Sequence, residues 1–247
     1  MSKAQVDRKP RRRWLRRLLW LAAFIVVFPI VQVLALRFID PPFSSFMMIR
    51  QFQAWGSGDI DFRIAHDWRD LDQMSRNVPV ALIAAEDQRF ADHSGFDMKA
   101  IENARDSNER GKRIRGGSTI TQQTAKNLFL WSGTGLTRWL RKALETWYTF
   151  WMELLWPKTR ILEMYANFAE FGDGVYGAQA AARTWFRKDA SRLSAAEAAR
   201  LAAVLPNPKR YSVARPGPYV QRRSRAIQRQ MRYIGGAGAL REVEGRK

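Results

Sequence analysis

The feature that most constrains this chain is an uncharged, strongly apolar run of nineteen residues, Leu18 to Leu36. As a helix that rises about 1.5 Å per residue, it would span about 28 Å, close to the hydrocarbon thickness of a bilayer. The residues before it hold eight lysines and arginines and one acid, Asp7. Because basic flanks stay in the cytoplasm, the pattern predicts a cytoplasmic tail at 1–17, a transmembrane helix at 18–37 and an extra-cytoplasmic remainder. A cleaved signal peptide is the competing interpretation, although the run exceeds an ordinary signal core.

The composition of the chain bounds its size, its chemistry and its partners. Its 247 residues allow one sizeable domain besides the apolar run, and a hydrophobic content of 46% supports a core. The chain has no cysteine, which excludes disulfides and thiol chemistry. A net charge of +19 suits nucleic acid, an anionic membrane or an anionic substrate. Since a domain outside the cytoplasm meets little nucleic acid, we assign the charge to membrane lipids and an anionic substrate.

Two adjacent acids, Glu86 and Asp87, follow the apolar run from Val78 to Ala85. A proline near the start of this run suits a first helical turn, and the apolar spacing predicts a helix buried on one face. Acids with apolar neighbours lose hydration, so their pKa rises and proton transfer becomes available to them. The alternative is that these acids only cap the helix or pair with Arg89, because structural ion pairs also perturb acids.

A second polar segment follows a basic loop that glycines interrupt. On its own, such a loop is typical of a solvated turn. Thr119 and Gln122 have the spacing of a capping box at the start of the next helix. On that helix Thr119, Gln123 and either Lys126 or Asn127 share one face. Hydroxyl, amide and ammonium groups beside a basic loop and free helix N–H groups are suited to phosphates and sugar hydroxyls.

The segment 129–156 is rich in large aromatic rings that stand next to cations. Within it Arg138, Arg141, Lys142 and Glu145 have the spacing of one helical face. Many rings beside cations favour a surface that dips into lipid headgroups, and packing in an ordinary core is the alternative.

The remaining segments are typical of helices, so the sequence predicts an all-α domain with almost no strands and no internal repeats. Residues 38–77 are predicted to be a linker with an extended piece over Ile60–Ile64, and residues 236–247 a flexible tail. Ser194 and Glu197 form a second capping box. The predicted helices cover residues 46–55, 96–108, 160–171, 175–186 and 219–234.

Five short segments occur in order between residues 78 and 208. They are Glu86-Asp87-x-x-Phe90-x-x-His93-x-Gly95, Gly116-Gly117-Ser118-Thr119-Ile120-Thr121-Gln122-Gln123 through Leu128, Arg141-Lys142-x-x-Glu145, Lys158-x-x-Ile161-Leu162-Glu163-x-Tyr165-x-Asn167, and Leu193 through Glu197 to Leu205-Pro206-x-Pro208. Together they resemble the monofunctional peptidoglycan glycosyltransferases, whose domain also occurs in bifunctional penicillin-binding proteins.

The resemblance implies a mostly α, lysozyme-like, two-lobed glycosyltransferase domain at 78–235, with a membrane-facing lobe at roughly 97–156. The family's transpeptidase domain has no room after Pro208, which is typical of the monofunctional type. The implied substrate is lipid II, a disaccharide-pentapeptide on a polyprenyl diphosphate, and the donor is the lipid-linked glycan. The implied location is the bacterial inner membrane, with the catalytic domain in the periplasm. Implied partners are membrane lipids and proteins of cell-wall synthesis or division, with no nucleic acid.

The resemblance also implies roles for individual residues. Glu86 would be the catalytic base. Glu145, the second catalytic residue, would lie across the cleft near the leaving diphosphate, where it would orient a cation, order water or stabilise developing positive charge. The residues implied in substrate binding are Asp87, Thr119, Gln123, Lys126, Asn127 and Arg141. Supporting roles are implied for Phe90, His93, Gly95, Gly117, Ser118 and Glu163. No organic cofactor is expected, whereas a divalent cation, Mg²⁺ or Mn²⁺, would lie near Asp87 or Glu145.

Two other classes of protein share part of this pattern. A lytic glycosidase of the lysozyme type uses similar carboxylates, but it cleaves finished glycan and needs no diphosphate cradle. A non-enzymatic membrane scaffold, or a basic nucleic-acid binder, would tolerate replacement of both Glu86 and Glu145.

Overall fold

A computed structural model describes residues 9–100, 102, 117–133, 135 and 137–245 of the chain. The chain divides between Asp40 and Pro41 into two compact units. The first holds helix α1, Lys9–Leu36, which contains Pro29. Within it, Arg13–Leu36 is long and apolar enough to cross a membrane, judged by length and composition.

The second unit is mostly helical, which confirms the predicted fold class. Its helices are α2 (Ser45–Gly56), α3 (Asn77–Glu86), α4 (Ile120–Phe129), α5 (Thr137–Leu155), α6 (Lys158–Phe168), α7 (Ala178–Phe186), α8 (Ala195–Val204), α9 (Pro218–Tyr233) and α10 (Ala239–Glu244). Single 3₁₀ turns occur at Leu71–Gln73, Ala190–Arg192 and Gly236–Gly238.

Helix α3 is the centre of this unit. Its residues from Val78 to Ala84 are all buried, so the helix is enclosed on every side rather than on the one face we predicted. It packs against α6, α8 and α9, while α4 packs against α2, α5 and α6. An apolar helix of this kind is stabilised by burial all round and holds its last residue, Glu86, in a fixed place.

Both predicted capping boxes are confirmed. The Thr119 hydroxyl accepts from the Gln122 amide N–H at 3.3 Å, and the Gln122 side chain accepts from the Thr119 N–H at 3.1 Å. Ser194 and Glu197 make the same reciprocal pair at the start of α8. These bonds satisfy N–H groups that a helix start would otherwise leave without acceptors.

Over the described residues, the domain has almost no strands, as predicted, apart from one small sheet. Its order is β1 (Ala65–His66), β3 (Val175–Tyr176) and β2 (Glu170–Gly172), with β1 parallel and β2 antiparallel to β3. The helices predicted at 160–171 and 175–186 are shorter than expected, because α6 ends at Phe168 and α7 begins at Ala178. Gly177 has a φ of +84°, a conformation that a helix beginning at residue 175 could not contain.

Three boundary predictions also change. The extended piece expected at 60–64 begins as a strand only at Ala65. Residues from Pro41 onward belong to the compact unit rather than to a linker, since Met47 and Ala54 of α2 are buried. The expected flexible tail contains helix α10, where Leu240 and Val243 are buried. Most of the helix predicted at 96–108 and the basic loop to Gly116 lie outside the described residues.

Candidate active site

Glu86 is the last residue of α3, and both of its carboxylate oxygens are hydrogen-bonded. The Gln123 side-chain amide donates to Oε2 at 2.9 Å, and Arg223 Nη2 donates to Oε1 at 3.1 Å. The side chain is 14% exposed. Loss of hydration raises the pKa of Glu86, and the hydrogen bond from Gln123 and the charge of Arg223 oppose that rise. A carboxylate with a raised pKa is suited to accept a proton from a substrate.

Gln123 is itself held in place by Tyr165. The Tyr165 hydroxyl donates to the Gln123 side-chain oxygen at 3.1 Å, which leaves the amide nitrogen pointing at Glu86. Tyr165 is fully buried, and burial raises its pKa well above the ordinary value, so the phenol stays a neutral donor. Gln123 therefore contacts the candidate base, and Tyr165 fixes the orientation of Gln123.

A cationic cleft lies along α4 and α5, next to Gln123. It encloses about 280 Å³ and carries four basic side chains against one acidic one. Its lining residues are Ser118, Gln122, Gln123, Lys126, Arg138, Trp139, Arg141, Lys142 and Glu145. Such a charge balance suits a ligand with two or more negative charges.

Glu145 is buried, and it organises the basic side chains of α5. Arg141 Nη1 donates to one of its oxygens at 2.9 Å and Lys142 Nζ to the other at 2.5 Å. These are contacts across one helical turn, four and three residues apart. The predicted common face of Arg138, Arg141, Lys142 and Glu145 is therefore the wall of the cleft.

Lys126 on α4 lines the cleft, and the charges of both glutamates act on it. Burial lowers its pKa, and the charges of Arg141 and Lys142 lower it further, whereas Glu145 and Glu86 raise it. Gln123, which lines this cleft, also donates to Glu86, so Glu86 lies next to the cleft that Glu145 lines. In the described part of the chain no protein acceptor hydrogen-bonds the Lys126 ammonium, so its donors can reach a ligand.

Asp87 does not face this cleft, although we predicted it to bind substrate. Its side chain is 3% exposed, and it accepts from the Ile120 N–H at 3.0 Å. His93 Nε2 lies 2.9 Å from its other oxygen. A carboxylate at a helix start is stabilised by the free N–H groups there, so Asp87 ties α3 to the first turn of α4.

Two more predicted substrate contacts also serve the fold. The Thr119 hydroxyl donates to the Gly95 carbonyl at 2.7 Å and is buried, so it does not line the cleft. Asn127 lies outside the cleft lining, and its carbonyl accepts from Ser45 Oγ at 3.2 Å. Gln123, Lys126 and Arg141 are the predicted contacts that the structure brings together.

Five of the six predicted supporting residues do not line the cleft. Phe90 is fully buried, with its ring 4.5 Å from the Lys158 ammonium. Gly95 has a φ of +81°, and a Cβ there would lie 2.6 Å from a methyl group of Thr149. Glu163 accepts from the Leu71 N–H at 2.8 Å, away from the cleft. Gly117 lies half-buried in the loop before α4, whereas Ser118 is exposed and lines the cleft.

Known proteins are similar to this chain over most of its length. A family model described as Transglycosylase matches residues 58–232. The chain is 58% identical over 235 residues to the biosynthetic peptidoglycan transglycosylase of Xanthomonas campestris pv. campestris (strain B100), covering 94% of each chain. This chain belongs to the transglycosylase family. It is also 52% identical over 238 residues to the protein of the same name from Xylella fastidiosa (strain M12), covering 96% of this chain and 97% of that one.

Membership of the transglycosylase family confirms the resemblance stated from five segments. The matched region begins at residue 58, well before the start of the domain that we predicted at residue 78. It also runs to residue 232 and so includes Arg223 in α9, which lies beyond the last of the five segments.

Sequence reasoning gave no role to two residues that the structure places against the segment from Glu86 to Gly95. Arg223 is one of several arginines in α9, and nothing in their spacing singles it out. Lys158 stood in a quoted segment but received no role. Its ammonium is buried and donates to the His93 carbonyl at 2.6 Å and to Glu153 Oε1 at 2.9 Å. The position of Lys158 directly after Pro157, at the first residue of α6, was the one signal in the sequence that could have drawn attention to it.

The two places predicted for a divalent cation were tested against their donor atoms. Asp87, His93 and Asp97 offer ligand atoms that all lie within 4.8 Å of one another. However, Asp97 Oδ1 already accepts from Arg89 and from the Ala100 N–H, both at 3.0 Å, and Asp87 is engaged as described. Both oxygens of Glu145 likewise accept from protein cations. These residues fit their protein partners and do not fit a resident divalent ion.

Proposed function

We propose that this transglycosylase polymerises lipid II into β-1,4-linked glycan by an inverting displacement, with Glu86 as the general base. The activity class, peptidoglycan transglycosylase, rests on the family match and on relatives of that name that align over nearly the whole chain. The residue roles rest on the geometry of the cleft.

Glu86 takes the proton from the 4-hydroxyl of the acceptor sugar. As that proton leaves, the hydroxyl oxygen bonds to the anomeric carbon of the donor, and the bond from that carbon to the diphosphate breaks. Attack from the face opposite the leaving group converts the α linkage into a β linkage. Gln123 and Arg223 each use one donor on the carboxylate, which leaves oxygen lone pairs free for the incoming hydroxyl.

The leaving polyprenyl diphosphate gains negative charge as the bond breaks. Lys126, Arg138, Arg141 and Lys142 present fixed positive charge in the cleft where that group would lie. Cations held in place before the reaction stabilise developing charge more than mobile solvent does. In this proposal Glu145 holds Arg141 and Lys142 in position and takes no proton.

The observation that carries the proposal is the position of Gln123, which lines the cationic cleft and donates to Glu86 at 2.9 Å. A base and a diphosphate cradle must lie on opposite sides of one anomeric carbon for a single displacement to use both. A lytic glycosidase has no use for four cations beside its acid, so the cleft favours synthesis over lysis.

Membrane contact is supported by the outer face of α5. Trp139 is 70% exposed, Leu140 59%, Phe150 50% and Leu154 61%, whereas Tyr148 and Trp156 are buried. The exposed side chains of the segment 129–156 therefore suit lipid contact, and the buried ones pack in the core. Large exposed apolar side chains beside a cationic cleft suit contact with an anionic bilayer. We propose a single-pass protein of the bacterial inner membrane, with its N-terminus in the cytoplasm and its cleft in the periplasm.

Incubation of the full-length protein with labelled lipid II tests the function. We expect polymeric glycan and released polyprenyl diphosphate, with no release of soluble fragments from purified sacculi. Fragments from sacculi without polymer from lipid II would instead identify a lytic glycosidase. A parallel reaction with a chelator tests the divalent cation, and we expect the polymerisation rate to stay the same. Partners among cell-wall synthesis or division proteins stay a prediction.

A further inference from the structure

Arg223 reaches the candidate base from a helix that lies outside the five segments used above. In α9, Arg222, Arg225, Arg229 and Arg232 are exposed, and Arg223 is turned inward with 29% of its side chain exposed. Its Nη2 donates to Glu86 Oε1 at 3.1 Å and to the Ala85 carbonyl at 3.3 Å. One guanidinium nitrogen thus contacts both the end of α3 and the carboxylate that α3 delivers.

We infer that Arg223 is a positioning residue that keeps the Glu86 carboxylate ionised and aimed at the acceptor hydroxyl. The inference rests on the proposed role of Glu86 as base. Arg223 does not line the diphosphate cleft, and its contact in the site is the Glu86 carboxylate, so it would act only through Glu86.

The need for such a residue follows from the burial of Glu86. A base must be ionised before it can take a proton, and a carboxylate that has lost its hydration favours the protonated form. Among the described residues, Arg223 is the one cation within 4 Å of this carboxylate. The Gln123 amide also favours the ionised form, but Arg223 adds a full positive charge to its hydrogen bond.

The other groups near Glu86 act on it more weakly than Arg223 does, are neutral, or are turned away from it. Lys126 from α4 lowers the pKa of Glu86, but by less than Arg223 does. Tyr165 from α6 is a neutral phenol held on Gln123, and Asp87 turns away toward the start of α4. On two other helices packed against α3, Glu197 of α8 pairs with Lys188 and Glu244 of α10 with Arg76.

The geometry also fixes the direction of the carboxylate. Arg223 holds one oxygen, and Gln123, itself held by Tyr165, holds the other. Because the same Nη2 bonds the Ala85 carbonyl, the carboxylate is fixed relative to the last turn of its own helix. A fixed base near its target contributes to rate through orientation, which predicts an effect on kcat rather than on KM.

The test is the pH dependence of kcat/KM for lipid II polymerisation in the full-length protein. For Arg223→Gln we expect the acid limb to move to higher pH, with kcat/KM reduced at least tenfold below neutral pH and partly restored in alkali. Arg223→Lys should move the limb back toward the parent, since it retains the charge. Arg225→Gln, an exposed arginine of the same helix, is the matched control and should match the parent. A uniform loss for Arg223→Gln at every pH, or no loss, would overturn the inference.

A readout that needs no catalysis separates this inference from the proposed function. The Glu86 carboxyl can be titrated by ¹³C NMR in glutamate-labelled protein, with Glu86→Gln used to assign its signal. We expect Arg223→Gln to titrate at higher pH than the parent, whether or not lipid II is a substrate. An unchanged titration in a variant that unfolds at the parent's temperature would refute the role of Arg223 and leave the proposed function standing.

Discussion

Gly95 offers the sharpest test of how the loop after Glu86 is packed against the site. Its φ is +81°, and a Cβ built there would lie 2.6 Å from Thr149 Cγ2 and 2.9 Å from Glu153 Cγ. Both neighbours belong to α5, where Thr149 is fully buried and Glu153 pairs with Lys158. Gly95→Ala should therefore suffer both a conformational cost and a steric one.

The two costs can be estimated separately. A left-handed conformation costs a residue with a Cβ about 1–2 kcal/mol. Overpacking of a filled site adds about 1–3 kcal/mol, which gives about 2–5 kcal/mol in total. For a domain of this size, that corresponds to a fall in Tm of about 4–20 °C. Since the Gly95 carbonyl also accepts from Thr119 at the start of α4, the same change should reduce polymerisation.

Thermal unfolding followed by circular dichroism measures this effect, and the chain supplies a matched control. Gly58 also has a positive φ, +89°, but nothing lies within 4 Å of a Cβ built there. Gly58→Ala should show the conformational cost alone, about 1–2 kcal/mol. If Gly95→Ala were no less stable than Gly58→Ala, the close packing of this loop on α5 would be refuted.

Three further substitutions test the site. Lys126→Ala should lower kcat by about 10²–10³-fold, because a fixed charge at the leaving group is lost. The exposed Lys209→Ala is the control, and an equal rate for the two variants would make Lys126 a surface lysine. Asp87→Asn should destabilise the domain by about 1.5–3 kcal/mol for each charge-assisted bond lost to Ile120 and His93. Denaturant unfolding measures this loss of stability, and a variant as stable as the parent would contradict the structural role of Asp87. Glu145→Gln should slow polymerisation less than Lys126→Ala does, and a larger loss would point to a direct part in the chemistry.

The parts of the fold that obey local rules could be predicted from sequence. The helix over 78–85 and the capping boxes at Thr119 and Ser194 depend on residues within a turn of one another. The sheet could not be predicted, because its strands are two or three residues long and show no alternation.

The site likewise combines residues that the local sequence identifies with residues that only tertiary packing brings together. Sequence identified the adjacent acids Glu86 and Asp87 but could not say which one faces the cleft. The backbone leaves the helix at Asp87, where φ is −158°, and this turn sends its side chain toward the N-terminus of α4. Arg223 lies 137 residues from Glu86 in the chain, and only the packing of α9 on α3 brings them together.

The most direct test of the central claim is the rate of lipid II polymerisation by purified Glu86→Gln. A general base contributes about 10²–10⁴-fold, so we predict a loss of at least about 10²-fold with a parental unfolding temperature. Glutamine keeps the size of the side chain and cannot take the proton. Activity within a few-fold of the parent in a folded variant would contradict the account, because no other carboxylate described here is placed to replace Glu86.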